Sequence, residues 1–409
     1  MDKNTFFDIL IIGAGPAGTS CAISLVNSGL KVGIIDKASF PRDKICGDAL
    51  SPDILKQLLW IDPELRNYVE SHTKKYFCNS VLITAPSNEK TTISLTSKKT
   101  TATDYGYIIR RKEFDNLLFS WLKKKNKTEI LENCEVRKIQ KKENKIIVET
   151  NLGTFTTIMI VGADGINSLV KKALIGKTAI DKKYHAGAIR QYYKGVSGFE
   201  EGKIELHFIK NILPGYFWIF PMANGEANVG IGILSSKIAK NKINLRKTLE
   251  EIIENNPEFK NRFSNATALE TMKGAGIALG GKKRSLSGDN FVLIGDAASI
   301  TDPTSGEGVG NAIRSGRFAA NQLLECFKKQ NFSAEFTRNY EKALYKSIHK
   351  ELKVSHFIQK FLLNSFVLNL IVRKLNKSQK FKSFVLSRIF DFNQSEYMMK
   401  AKLIFRFIF

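Results

Sequence analysis

A mixed α/β (α+β) fold is the reading this sequence invites, and three observations carry it. An apolar run over residues 8–12 passes directly into glycines and a helical stretch, in FDILIIGAGPAGTSCAISL. Two later apolar runs end in the same manner, at Gly162-Ala163-Asp164-Gly165 and at Gly295-Asp296, each with a helical pattern after it. Between them lie stretches that alternate apolar and polar residues, such as KIELHFI and YFWIFP, the period of a sheet with one face covered. Together these predict a Rossmann-like nucleotide-binding domain, an inserted antiparallel-sheet substrate domain and a C-terminal helical segment.

The first unit runs from the strand at 8–12 through a helix ending near Gly29 to a second strand, 31–35, closed by Asp36. Gly13, Gly15 and Gly18, with Pro16 and Ala17 between the last two, form G-x-G-x-x-G at the strand-to-helix turn. The first glycine allows the tight turn, the second lets the backbone approach a pyrophosphate, and the third lets helix pack on strand. The helix N-terminus supplies N–H groups and a positive dipole for phosphates. Asp36 is placed to take ribose hydroxyls, with Lys37 beside it. The ligand at this point is a dinucleotide, either FAD or NAD.

The next stretches narrow that choice. TTIMIVGADGINSLVKKAL reads as a strand, a turn holding Asp164 and Gly165, and a helix capped by Asn167 or Ser168. DNFVLIGDAASITDPTSGEGVGNAIRSG is a strand ending in Gly295-Asp296, then a loop with Pro303, Gly306, Glu307 and Gly308, then from Val309 a helix to about Phe327. A second acid at a strand end can hold a ribityl chain, and a glycine loop feeding a helix N-terminus can stabilise negative charge on a reduced flavin. A further glycine cluster, GAGIALGG (274–281), lacks a helix after it and reads as a strand and bend entering the nucleotide domain.

Composition bounds the rest. The 409 residues, 43% hydrophobic and 25% charged, describe a globular chain of two or three domains. Five cysteines (Cys21, Cys46, Cys78, Cys134, Cys326), without a CxxC pair, argue against a disulfide framework or a zinc site and for a reducing compartment. The five histidines are dispersed, and no metal is assigned. The N-terminus is read as no signal peptide. The longest apolar stretch, FLLNSFVLNLIV (361–372), is shorter than the roughly 20 residues of a membrane span. The net charge of +24 permits anionic partners, a lipid surface or nucleic acid, without choosing between them. No recognition helix, zinc knuckle or RNP-like motif accompanies it, so nucleic acid is not expected.

The three glycine-acid motifs, in this order, resemble the flavoproteins of the para-hydroxybenzoate hydroxylase fold. The resemblance implies FAD, with Asp164 and Gly165 near the pyrophosphate and ribose, Gly295 and Asp296 on the ribityl chain, and the 303–308 loop along the isoalloxazine. Arg111, in RRKEFDNLL, matches that family's R-x-x-F-D-x-x-L helix start, whose Arg contacts FAD.

Two further stretches are similar to one branch, the geranylgeranyl reductase family, flavoenzymes that saturate isoprenoid double bonds. PGYFWIFPM carries Tyr216, Trp218, Phe220 and Pro221 as Y-x-W-x-F-P, and FPRDKICGD carries Pro41, Lys44, Cys46 and Gly47 as P-x-x-K-x-C-G. In that family the aromatic motif lines the substrate cavity and the Cys lies close to flavin and substrate. Cys46 and Lys44 are therefore the candidate catalytic residues, the thiol as proton relay or pocket wall and Lys44 favouring a thiolate; Lys44 is also counted with the cofactor site. The chain departs from the family's usual residues at Asp48 (Gly), Met222 (Lys), Ser299 (Gly) and Ala278 (Pro), and Asp48 would bring a carboxyl to the pocket mouth.

The expected function is FAD-dependent reduction of C=C bonds in a geranylgeranyl-type lipid, prenyl diphosphate or quinone side chain. The electron donor is separate: NAD(P)H, ferredoxin or another reductase. The main rival is an FAD monooxygenase on an aromatic or carrier-bound substrate; the halogenases' W-x-W-x-I-P is matched only in part, and a non-catalytic flavin- or lipid-binding module fits the motifs least. The FAD domain is placed at 1–72, 104–177 and 271–330, the substrate domain at 73–103 and 178–270, and a basic, apolar helical segment at 331–409. In that segment Lys360, Asn364, Asn369 and Arg373 form a narrow polar stripe, which suits a helix packed on the FAD domain or one lying in a membrane interface. Cytoplasmic location with peripheral attachment to the inner face of the membrane is the expectation.

Overall fold

The computed structural model describes residues 4–95, 105–176, 180–361, 363–379 and 381–382. Strand Asn4–Ile12, helix Pro16–Ser24 and strand Val32–Ile35 form the predicted first unit, with Ile9 opposite Val32 in a parallel pair. Glu129–Leu131 extends this sheet beyond Val32–Ile35, while Thr154–Gly162 and Phe291–Leu293 extend it on the other side, all in parallel. Phe7, Ile9, Leu10 and Ile11 are fully buried, which explains an apolar run without alternation: a parallel sheet is covered on both faces. Helix Val309–Lys329, slightly longer than predicted, lies against Pro16–Ser24.

The second sheet is built from the stretches expected to form the substrate domain. In order across it run Thr267–Ala268, His185–Lys194, Glu226–Leu234, Tyr216–Pro221, Lys203–His207, Ser80–Thr84 and Lys90–Ser94. Its pairs are antiparallel except Lys203–His207 against Ser80–Thr84, which is parallel. Strand Lys273–Ala278 also belongs here, pairing with His185–Arg190. The GAGIALGG strand therefore extends the substrate sheet, and that domain reaches about 278 and not 270. Tyr76–Cys78, expected in the same sheet, instead joins Gly106–Ile108 and Ala49–Leu50 in a small three-stranded sheet. The boundaries at 103/104 and 177/178 lie outside the described residues. An amphipathic helix, Leu245–Asn255, stops before Pro257, which opens a second one, Pro257–Phe263, capped by Asn256.

Two helices close the described chain. Ala334–Phe361 packs on the nucleotide domain through Tyr340, Leu344, Ile348 and Leu352, and Tyr340 Oη donates to the Leu293 carbonyl at 2.8 Å. Ser365–Lys377 turns away from it by 109° and lies over the hairpin of the substrate sheet. Ser87 N–H donates to Asn369 Oδ1 (3.0 Å), Arg373 Nε donates to Glu89 (2.9 and 3.0 Å), and Leu368, Val372 and Leu375 are buried. The polar stripe therefore spans two helices, and its second half docks on protein. No single described helix is long and apolar enough to cross a membrane. The tail from 383, including LIFRFIF, lies outside the described residues.

Candidate active site

A cavity of about 1150 Å³ runs from the glycine turn to the face of the second sheet. Its nucleotide end is built by local backbone rules. Gly13 has φ +102°, and a Cβ there would fall 2.4 Å from the Ala163 carbonyl oxygen. A Cβ on Gly18 would fall 1.9 Å from the Gly13 oxygen, so Gly18 serves helix packing and does not line the cavity. Asp36 accepts the N–H groups of Ala14 (2.8 Å) and Ala38 (2.9 Å), which braces the turn against the end of the second strand. A carboxylate has about four acceptor positions, so both oxygens can still take ribose hydroxyls. Asp164 Oδ2 accepts from Leu169 N (2.6 Å) and Val170 N (3.2 Å), joining Ser168 in capping that helix. Asp164 Oδ1 is buried without a partner in the protein, and burial pushes its carboxyl up.

Sequence reasoning passed over Arg42. Its guanidinium lies 3.3 Å from where a Gly15 Cβ would sit and is anchored to Asp115 at 3.0 Å, a cation over the phosphate turn. The signal was present, a basic residue inside FPRDK, but nothing in it indicated direction. Arg111 also binds Asp115, at 2.7 and 2.9 Å, and lines the cavity beside Cys46. Lys37, Gly165 and Gly295 line the wall too. Asp296 reaches the cavity with Thr301 Oγ1 at 3.5 Å and Lys44 Nζ at 4.0 Å as its neighbours. The orphaned Asp164 oxygen, the lightly engaged Asp296 and the cation over Gly15 suit the hydroxyls and pyrophosphate of FAD.

The 303–308 loop is held from outside. Asp302 Oδ1 accepts Thr304 N (2.9 Å), Ser305 N (2.8 Å) and Ser355 Oγ (2.8 Å), which ties the loop to the long C-terminal helix. Glu307 accepts Gly310 N–H at 2.8 Å at the start of helix Val309–Lys329, and burial pushes its carboxyl up to about 7. Pro303, Gly306, Gly308 and Val309 also line the cavity.

The aromatic motif alternates as its strand period requires. Tyr216, Trp218 and Phe220 face the cavity, while Phe217 and Ile219 pack on the opposite side with Phe259 and Leu249. Pro221 is the exception: it pairs with Ala227 at the strand end, buried, and does not line the cavity. Gly47 passes so close that a Cβ would lie 3.1 Å from the Phe220 ring, bringing the Cys46 segment against this wall. Beyond the aromatics the cavity continues as an apolar arm along Val81, Ile83, Ile93, Ile204 and Leu206.

Cys46 lines the cavity, partly exposed to it; the other four cysteines are buried. Burial pushes its thiol up, Asp48 adds to the rise, and Arg111 opposes it. Lys44 faces Asp296, so the cation beside the sulfur that favours a thiolate is Arg111 and not the expected Lys44, and burial acts against it. Asp48 is also corrected, since it is 0% exposed and lies behind the cavity wall, not at its mouth.

This arrangement defines a flavin-dependent oxidoreductase: a dinucleotide cradle, a glycine loop at a helix N-terminus, and a largely apolar chamber carrying a thiol. The chain belongs to the FAD binding domain family, whose model matches residues 7–341. It is 27% identical to the digeranylgeranylglycerophospholipid reductase of Methanosarcina acetivorans over 416 residues, covering 97% of this chain and 94% of that protein. It is 27% identical to the menaquinone reductase of Mycobacterium tuberculosis over 327 residues, covering 77% and 76%. In structure it is similar to a geranylgeranyl bacteriochlorophyll reductase-like protein from Thermoplasma acidophilum, with TM-score 0.79, 21% identity and coverage of 99% of this chain and 100% of that one. A flavin-dependent brominase shares the fold at TM-score 0.77 and 20% identity, covering 98% and 99%.

Proposed function

We propose that this enzyme reduces C=C bonds of an isoprenoid carried by a lipid, prenyl diphosphate or quinone. The observation that carries the reading is the continuity of one cavity from the FAD cradle, past Cys46 and the Trp218 wall, into the apolar arm at Val81 and Leu206. The names of the two relatives support lipid and quinone chains as substrate classes. When bound and reduced, FAD supplies a hydride for an isolated alkene. The chain's own residues do the rest. Tyr216, Trp218 and Phe220 hold the alkene by apolar contact and exclude water. Cys46, kept protonated by burial, offers a proton to the alkene's second carbon, and Arg111 stabilises the thiolate left behind. Reducing equivalents come from a separate donor, NAD(P)H, ferredoxin or another reductase.

A membrane surface as partner is part of the same proposal. Val354 and Ile358 line the cavity, while Phe357, Leu363 and Phe366 at the bend between the last two helices are 45%, 53% and 69% exposed. Lys342, Lys346, Lys353 and Lys360 are exposed on the helix leading to that bend, and each adds on the order of 1 kcal/mol at an anionic surface. An apolar bend beside the cavity, flanked by lysines, suits collection of a prenyl chain from a bilayer.

Oxygen dependence tests the reaction class. Chemically reduced protein is mixed with geranylgeranyl lipids and isoprenoid quinones under argon, then in air with an oxygen electrode. Saturated product without oxygen supports the reductase. Product formed only in air, hydroxylated and matched one-to-one with oxygen consumed, overturns it in favour of a monooxygenase.

A further inference from the structure

Asp48 takes no part in the reaction just described, yet it is a fully buried acid beside the cavity whose carboxylate is engaged by three donors. Its backbone is left-handed, φ +65°, a conformation free for glycine and costly for most side chains. Its carboxylate receives Tyr192 Oη–H at 2.6 Å, Asn228 Nδ2–H at 2.8 Å and the backbone N–H of Arg111 at 3.0 Å. Those donors sit on two neighbouring strands of the substrate sheet and at the start of helix Arg111–Lys125 of the nucleotide domain, with Tyr192 opposite Asn228 in register.

The Asn228 amide extends the network in both directions. Its Nδ2 also donates to the Cys46 carbonyl at 2.8 Å, and its Oδ1 accepts Trp218 Nε1–H at 2.9 Å. The Tyr192 ring packs against two guanidinium groups, Arg190 at 3.9 Å and Arg110 at 4.2 Å. One carboxylate thus joins the segment bearing the cavity thiol, the indole of the cavity wall, and both domains.

We propose that Asp48 is a positioning residue that locks Cys46 and Trp218 to each other across the domain junction. Removing it leaves a buried hydroxyl and a buried amide short of an acceptor, and such groups reorient to find partners. Asn228 would then release either the Cys46 carbonyl or the Trp218 indole. Burial pushes the Asp48 carboxyl up while Tyr192, Asn228 and the Arg111 N–H hold it down, and as an anion at alkaline pH it also acts on the sulfur at a distance. The charged and titratable groups acting on Cys46 are Arg111, which favours its thiolate, and Asp48, which opposes it, while Tyr216 shares the cavity wall.

The test uses the full-length protein with its FAD, as parent, Asp48→Asn and Asp48→Gly; the glycine variant removes the backbone cost along with the side chain. Alkylation of Cys46 by iodoacetamide is followed by peptide mass spectrometry from neutral to alkaline pH, with Cys21 and Cys326, buried away from the cavity, as internal controls. The expected result is a midpoint about one pH unit lower in both variants, as loss of a neighbouring like charge requires. Near-UV circular dichroism gives a second readout that FAD cannot shield: the Trp218 band, assigned with Trp218→Phe, weakens in both variants. Neither readout needs a substrate, so the result stands apart from which alkene is reduced. An unchanged midpoint with an unchanged Trp218 band overturns the proposal. Failure of both variants to fold also overturns it, because the carboxylate would then hold the fold and not the site.

Discussion

The Cys46 sulfur lies between an arginine that favours its anion and a burial that opposes it, and burial wins. A neutral thiol at the cavity wall is a proton donor in waiting, so Cys46→Ala is expected to keep FAD and to lose about 100-fold in turnover, the usual scale of a positioned acid. Flavin absorbance and reductase rate on the same sample check this; full rate in the alanine variant would make Cys46 a packing residue. Glu307 titrates differently from any surface acid. Burial raises its carboxyl from 4.5 to about 7, with Asp53 and Asp302 adding to the rise and the Gly310 N–H opposing it. The folded protein then holds a proton that the unfolded chain has released, so its stability is full below about pH 4.5 and falls as pH rises towards 7. Urea midpoints across that window should slope downward, and Glu307→Gln should flatten the slope. Much at this scale was legible: the motif cysteine and Tyr216, Trp218 and Phe220 reach one cavity as the family resemblance implied, and Trp218 and Phe220 share a strand face as their spacing required. Arg42 and the orientation of Asp48 were not, because the direction of a side chain in an irregular segment depends on backbone angles that residue type does not dictate.

Elements built from periodicity and glycine spacing formed where they were read, and their failures under substitution are correspondingly sharp. Gly18→Val places a branched side chain where a single Cβ already meets the Gly13 oxygen at 1.9 Å. It should cost about 4 kcal/mol or more and abolish flavin binding, measured by thermal unfolding and bound-FAD absorbance. The two C-terminal helices make a different prediction. Burying an exposed Leu or Phe is worth roughly 1.5–3 kcal/mol, so Leu363→Asp with Phe366→Asp should weaken flotation with anionic vesicles by at least about 10-fold while leaving bound FAD unchanged. Equal flotation of parent and variant would remove the bend from the account. The sequence pattern presented this region as one greasy stretch because a break capped by Asn364 looks like a stripe residue until the 109° bend is seen. Strand Lys273–Ala278 was recognised as a strand, but its partner was not: any sheet edge can accept it, and tertiary contact chose His185–Arg190.

At the scale of the whole molecule, two sheets of opposite character share one chamber. The parallel sheet brings glycine turns and acids to its rim, as a nucleotide fold must, and the second sheet presents alternate side chains as an apolar wall. That division was legible because each sheet writes its own period into the chain. The join between the sheets was not, since it rests on contacts such as Asp48 with Tyr192 that lie 144 positions apart. The central claim, that a prenyl chain occupies the apolar arm while its double bond meets the flavin site, is tested most directly by plugging the arm. Parent and Val81→Trp, both loaded with FAD and reduced under argon, are given a geranylgeranyl lipid and a short prenyl alkene, and the products are weighed by mass spectrometry. The account predicts a gain of about 2 Da per reduced bond on both substrates for the parent, and on the short alkene alone for Val81→Trp. Undiminished reduction of the long lipid by flavin-loaded Val81→Trp would contradict it.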